Sequence, residues 1–148
     1  MLVEAEIKIQ GTRAMIWEVI TNIQDAAKFI TGIEKIELID IPTNGIIGLK
    51  WRESRIYFGE LSTVEKWITD ANENIFYKTK SEIDGFEFTT HLSIDGNGDS
   101  LTLKSSHDTR PIGFLAKLKS IPMILFKGVI KKAILQDLID IKSEVERK

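Results

Sequence analysis

A long series of short strand patterns, followed by one amphipathic helix pattern, constrains the fold of this chain more than any other feature. The strand patterns occupy residues 33–108, and short stretches rich in Gly, Asn and Asp separate them. Over residues 128–145, apolar residues recur at spacings of three and four, which predicts a helix about 30 Å long. A curved antiparallel sheet crossed by such a helix encloses either a packed core or a cavity.

One strand and two short helices are predicted before this series. Residues 3–9 alternate apolar and charged side chains, which is typical of a half-buried strand. Thr12 is the predicted N-cap of a first helix that contains Trp17, and a second short helix is predicted over residues 25–30.

The turn residues indicate that the later strands follow one another as an antiparallel meander. Asn44-Gly45 predicts a two-residue hairpin between strands over 33–41 and 46–55. Further strands are predicted over residues 57–69, 75–82, 86–94 and 100–107. This order predicts an α+β fold in which a curved antiparallel sheet of about seven strands wraps around a long C-terminal helix, with two short helices after the first strand. We expect residues 1–148 to form a single domain.

Composition excludes several classes of protein. The hydrophobic fraction of 43% and the charged fraction of 28% are typical of globular proteins. The absence of cysteine excludes disulfides and thiolate chemistry. The first ten residues contain acids and a lysine and do not resemble a signal peptide. No apolar run approaches the ~18–20 residues that span a bilayer, so we predict a cytoplasmic protein.

The segment 111–132 combines apolar side chains with an excess of positive charge. Six bases and no acid lie between Arg110 and Lys132, which leaves 14 bases against 22 acids, a net charge of −8, in the rest of the chain. One interpretation is a mobile lid over a cavity mouth that makes transient contact with an anionic membrane. The other is that its apolar residues pack over the sheet and its lysines are solvated. A nucleic-acid partner is not expected, because no stacking platform accompanies the bases.

Several short segments resemble the START-like superfamily, also called SRPBCC, and within it the polyketide cyclase/dehydrase and lipid-transport group. The matching segments are the opening strand with Ile16-Trp17-Glu18-Val19-Ile20, the stretch from Phe29 to Glu37, Gly48 to Glu53, and the terminal helix through Asp137-Leu138 and Ile141. One departure is Gly11-Thr12-Arg13-Ala14, where the family usually has a proline after the first strand.

The resemblance implies a helix-grip fold with a deep pocket between the sheet and the last helix. Members bind lipids, sterols, polyketides or plant hormones, and some catalyse cyclisation or dehydration. We therefore expect a hydrophobic small-molecule ligand, with no cofactor and no metal. The alternatives are a cyclase/dehydrase-type enzyme acting in the same cavity and a protein-interaction module. The sequence leaves the oligomeric state open.

A charged pair on one strand is the most unusual candidate for a binding site. Trp51, Glu53 and Arg55 share one face of that strand. If the tryptophan faces inward, the pair enters the pocket and can anchor the polar head of a ligand, since a buried charge needs such pairing. Otherwise the charges lie on the solvated face. The expected ligand-binding residues are Trp51, Glu53, Arg55, Tyr77, Phe88, Thr90, Leu103, Ser105, Leu118, Ile121, Leu125, Ile130 and Ile134.

Three residues are weak candidates for acid–base catalysis: Glu53, Tyr77 and His107. His107 shares the inward phase of its strand, and an imidazole can titrate near neutral pH and so serve as a general base. Adjacent Asp108 points to the opposite face, where it is poorly placed to orient the imidazole ring. No third ligand has spacing that favours a metal site with the two histidines.

Overall fold

Within the residues that the structure describes, seven strands and two α-helices follow one another in the order that the sequence predicts. The computed structural model describes residues 1–57, 59–83, 85–112 and 127–147. The elements are β1 (Leu2–Gln10), α1 (Arg13–Thr21), a 3-10 helix (Ile23–Lys28), β2 (Ile33–Asp40), β3 (Lys50–Tyr57), β4 (Glu60–Asn72), β5 (Phe76–Ile83), β6 (Phe86–Asp95), β7 (Ser100–Pro111) and α2 (Lys127–Arg147).

The strands form one antiparallel sheet in the order β1-β7-β6-β5-β4-β3-β2. Each strand from β2 to β7 pairs with its neighbour in sequence, and β1 pairs along its whole length with β7, from Leu2 opposite Asp108 to Gln10 opposite Ser100. The helices are segregated from the meander, as in α+β folds. The predicted helix-grip architecture is confirmed.

The first strand and helix form for the reasons that their sequence indicates. In β1, Val3, Ala5 and Ile9 are buried, and the charged residues between them face solvent. The Thr12 hydroxyl caps α1 by accepting a hydrogen bond from the backbone N–H of Met15 at 3.2 Å, which satisfies one of the free donors at the helix start.

Helix α2 crosses the sheet along its buried stripe of Ile134, Leu138, Ile141 and Val145. Burying each such side chain contributes about 1.5–3 kcal/mol. The C-terminal half of α2 lies over the end of β1, where a Glu146 carboxylate oxygen accepts a hydrogen bond from the Gln10 backbone N–H at 2.9 Å. The beginning of α2 therefore lies toward the opposite end of the sheet, beside the β3–β4 and β5–β6 turns.

The tight hairpin predicted at Asn44-Gly45 is wrong. Residues 41–49 form a longer connection, and β3 begins at Lys50 rather than at residue 46. Pro42 lacks the backbone N–H that would continue the β2 ladder. Ile68 of β4 instead bonds to the end of the connection, donating to the Leu49 carbonyl at 3.0 Å and accepting from the Gly48 N–H at 2.9 Å.

Candidate functional site

Strand β3 places three large side chains in the interior. Trp51 and Glu53 are 3% and 6% exposed, and Arg55 is half-buried on the same face. The Trp51 indole N–H donates to Glu53 Oε1 at 3.3 Å, and Arg55 Nε donates to Glu53 Oε2 at 2.7 Å. Of the two interpretations of this face, the structure shows the inward one.

Two residues from other elements complete a charged cluster with this pair. Lys66 of β4 donates to Glu53 Oε2 at 2.9 Å, and the Arg55 guanidinium makes two parallel bonds to Asp137 of α2, at 3.1 and 2.8 Å. We call Glu53, Arg55, Lys66 and Asp137 the charged cluster. Its two cations and two carboxylates give no net charge, and its Arg–Asp fork connects the sheet directly to α2.

The cluster fixes the ionisation of its members. Burial opposes ionisation of Glu53, but the charges and hydrogen bonds of Lys66 and Arg55 outweigh it and lower its pKa to about 2. For Arg55, burial again favours the neutral form, and the two carboxylates reverse this and raise its pKa. Each charge of the cluster is therefore paired, as the cost of desolvating it requires.

His107 faces the charged cluster from β7 and is neutral near pH 7. Its Nε2 lies 2.8 Å from the Ser105 hydroxyl, and its Nδ1 lies 3.4 Å from the Thr90 hydroxyl. Burial and the nearby positive charges of Lys66 and Arg55 lower the pKa of His107 to about 4. An uncharged ring with two hydroxyl neighbours suits hydrogen bonding better than proton donation.

Tyr77 is fully engaged by the protein itself. Its hydroxyl donates to the Ile20 carbonyl oxygen at 3.0 Å, and its ring packs edge-on against Trp17. Burial, followed by the negative charge of Glu53, raises the pKa of Tyr77. The group therefore fastens α1 to the sheet and is poorly placed to transfer a proton.

Two adjoining cavities lie between the sheet and α2. The inner cavity, about 110 Å³, lies beneath α1 and the 3-10 helix, and the outer cavity, about 300 Å³, lies beneath the first half of α2. Both are lined by the four residues of the charged cluster and by His107, so the cluster separates one cavity from the other. The outer cavity also has apolar walls, formed by Tyr57, Val64, Ile83, Phe88, Ile130 and Ile134.

Most of the residues expected from the sequence lie at these cavities. Lining residues from that set are Trp51, Glu53, Arg55, Tyr77, Phe88, Thr90, Ser105, Ile130 and Ile134. Leu103 is fully buried in the core and lines neither cavity. Leu118, Ile121 and Leu125, with most of the proposed lid, lie outside the described residues.

Sequence reasoning missed two members of the charged cluster, although signals for both exist. Lys66 is two residues before Ile68, which is buried, and therefore shares its inward phase in β4. Asp137 lies three residues after Ile134 and four before Ile141, on the apolar stripe of α2. A charge in the phase of a buried stripe is a signal for a buried partner.

Of the remaining polar candidates, His91 lines neither cavity, whereas Asp108 lines the outer one. His91 is on the convex face of the sheet, where its ring packs edge-on against Phe76, and Asp108 forms an ion pair with Arg110 at 2.7 Å. No group of three His, Asp or Glu side chains that could bind a metal occurs in the described part of the chain. Within the same residues, neither helix is long and apolar enough to cross a membrane.

Comparisons with known proteins give similarity of structure without close similarity of sequence. No family model matches the chain, and no curated protein matches it. A START superfamily protein from Mycobacterium smegmatis superposes with a TM-score of 0.81 at 15% identity, covering 99% of this chain and 97% of the other. The Zhui aromatase/cyclase from Streptomyces sp. R1128 gives 0.77 at 17% identity, covering 99% and 94%.

A plant protein extends the same comparison. Major latex-like protein 151 from Panax ginseng superposes with a TM-score of 0.73 at 12% identity, covering 97% of this chain and 95% of its own. Identities this low establish shared architecture and leave function to the site. The seven-stranded sheet, the C-terminal helix and these superpositions show that the chain has the helix-grip fold of START-like proteins.

Proposed function

We propose that this protein binds a hydrophobic small molecule in the outer cavity, with a polar oxygen of the ligand turned toward the charged cluster. The observation that carries the proposal is the outer cavity itself. Its volume of about 300 Å³ lies at the lower end of the range of small-molecule pockets, ~300–1,000 Å³. Most of its wall area is apolar, and the charged cluster and His107 supply polar groups where it adjoins the inner cavity, which is the usual composition of such sites.

The polar end of the cavity favours a neutral ligand oxygen over an ionised group. The charged cluster is already balanced, so a second buried anion would lack a counter-charge of its own. Lys66 donates one hydrogen bond to Glu53 and has two further donors. A carbonyl or hydroxyl oxygen of the ligand can accept a hydrogen bond from Lys66 and contact the neutral ring of His107. The ligand class that fits is therefore an apolar molecule with one or more uncharged oxygens.

A cavity-blocking variant tests this proposal. Ala133 lines the outer cavity and is exposed on α2, so Ala133→Trp introduces a ring at the cavity mouth at little cost in packing. Leu135→Trp places the same ring on the same helix, at a partly exposed position that lines neither cavity. The probe is a fluorescent apolar dye, titrated by its emission, with native mass spectrometry to detect co-purified ligands.

The expected result is that wild type and Leu135→Trp bind the dye equally and Ala133→Trp binds it at least tenfold more weakly. Equal binding by all three proteins would locate the dye elsewhere on the surface and contradict the proposal. A wild-type chain that takes up no dye and carries no ligand would contradict it as well.

An enzyme of the cyclase/dehydrase type is a second candidate, and one observation favours it. His107 lines both cavities and, being uncharged near neutral pH, can accept a proton from a ligand. Glu53 is a weaker base because three donors engage its carboxylate. If such an activity exists, His107→Gln should abolish turnover and preserve dye binding. Unchanged turnover in this variant would dispose of the role.

A further inference from the structure

We propose that the end of the molecule at the mouth of the outer cavity docks on an anionic lipid bilayer. This mouth end consists of the β3–β4 turn, the β5–β6 turn, the end of β7 and the beginning of α2. The outer cavity joins these elements, because Tyr57, Ile83, Thr109 and Ile130 all line it. The docking surface does not depend on the ligand proposed above, because its exposed apolar and basic side chains lie on the exterior of the molecule.

Apolar side chains are exposed on both faces of the β3–β4 turn. Ile56 and Leu61 lie opposite each other in the ladder and are 54% and 66% exposed on the convex face. Tyr57 is 51% exposed on the other face, at the cavity mouth. The sheet cannot cover both faces of the same turn, so this turn has the form of an apolar tip that suits an interfacial environment.

Further exposed apolar side chains continue the surface across the cavity mouth. Ile112 follows β7 and is 56% exposed, and its backbone N–H donates to the Gly85 carbonyl oxygen at 2.8 Å, which places it beside the β5–β6 turn. Val129, in the first turn of α2, is 55% exposed. The exposed apolar groups thus surround the opening through which a ligand of the outer cavity would pass.

The charges select an anionic partner for this surface. Lys127, Lys131 and Lys132 are exposed, the helix has no acid before Asp137, and no ion pair joins these lysines to another of the described residues. Glu60 begins β4 and Glu82 lies near the end of β5, so an acid stands beside each hairpin turn. The attraction to an anionic surface therefore resides on the α2 side. Two copies of the chain meeting through this surface would place lysine against lysine.

The opposite end of the molecule provides a contrast. Ile41 and Ile47 are also exposed there, at 72% and 53%. Their surroundings are acidic, however, with Glu73, Asp95 and Asp99 exposed on the neighbouring turns. An anionic bilayer repels that end and attracts the mouth end, so the charge distribution orients the molecule with its cavity mouth toward the lipid.

Vesicle sedimentation tests the proposal on the full chain. The probes are vesicles of phosphatidylcholine alone and of phosphatidylcholine with phosphatidylserine in about a two-to-one ratio, at low and at physiological salt. A lysine near such a surface contributes a factor of roughly five to partitioning, so replacing the three lysines with glutamine should weaken binding about a hundredfold. The matched control replaces Lys8, Lys28 and Lys104, which lie elsewhere on the surface.

Four further variants separate docking from loss of folding. Glu60→Gln should strengthen binding to the anionic vesicles several-fold, a gain that misfolding cannot produce. Ile56→Ser with Leu61→Ser should weaken it, whereas Ile41→Ser with Ile47→Ser should not. Arg55→Gln, which disrupts the cavity wall, should leave vesicle binding unchanged even where dye binding is lost.

The results of these experiments support or overturn the proposal that the mouth end docks on an anionic bilayer. Binding to anionic vesicles that falls with salt and with the mouth-end variants supports it. Absence of binding at low salt, equal loss in the control lysine variant, or equal binding to neutral vesicles overturns it.

Discussion

His107 should make this protein lose stability over a defined range of acid pH. Burial and the charges of Lys66 and Arg55 lower its pKa from 6.5 to about 4. A histidine with a lowered folded pKa binds fewer protons in the folded state, so its contribution is fully present above pH 6.5 and is lost as the pH falls toward 4. At 1.36 kcal/mol per pKa unit, acidification from about pH 8 to about pH 4.5 should cost about 2.5 kcal/mol.

The measurement is the free energy of unfolding by urea at several pH values for wild type and His107→Gln. Glutamine provides an amide near the Ser105 and Thr90 hydroxyls and does not titrate. Carboxylates titrate alike in both proteins, so the difference between the two curves of unfolding free energy against pH gives the contribution of His107. Over this range, wild type should lose about 2.5 kcal/mol more than the variant.

The other histidine gives the matched control. Partial burial, together with Lys78, lowers the pKa of His91 on the convex face, and His91→Gln should retain the main acid loss. Parallel curves for wild type and His107→Gln, or a loss removed by His91→Gln instead, would refute the reasoning from the buried ring.

Two further predictions concern the charged cluster. The folded pKa of Glu53 is lowered from 4.5 to about 2, so its contribution to stability is present above pH 4.5 and is lost as the pH falls through 2. Glu53→Gln should therefore destabilise the protein by about 3 kcal/mol at pH 7. In urea titrations, the difference in stability between wild type and variant should narrow below pH 4.5. A Cβ on Gly32 would lie 2.9 Å from Arg55 Nη1, so Gly32→Ala should displace the guanidinium and cost about 1–3 kcal/mol. In a double-mutant cycle with Asp137→Asn, the double variant should lose less stability than the sum of the two single losses. Strict additivity would show that Gly32→Ala does not act through the Arg55–Asp137 fork.

The sequence predicts the fold well because each element carries its own local signal. Alternation in β1, the cap at Thr12 and the apolar stripe of α2 identify these elements without tertiary information. The connection over 41–49 does not follow from local signals. Asn44-Gly45 favours a tight hairpin, but the Ile68 backbone forms hydrogen bonds with Gly48 and Leu49. The turn residues alone do not predict such long-range pairing.

The candidate site is harder to predict, because it depends on which strands and helix faces meet. Alternation places Glu53 and Arg55 on one face but does not say which face is inward. Their partners come from sites 13 and 82 residues away along the chain, namely Lys66, bonded to Glu53, and Asp137, bonded to Arg55. The separation into two cavities follows from these contacts and has no signal in the sequence.

The fork between Arg55 and Asp137 also sets an expectation for the kinetics of occupancy. It ties strand to helix at the boundary between the two cavities. A short molecule can settle in the larger compartment while the fork stays closed, and its arrival should follow a single exponential. A longer one must part the fork to reach the smaller compartment, so its uptake should show a second, slower phase whose rate does not rise with concentration.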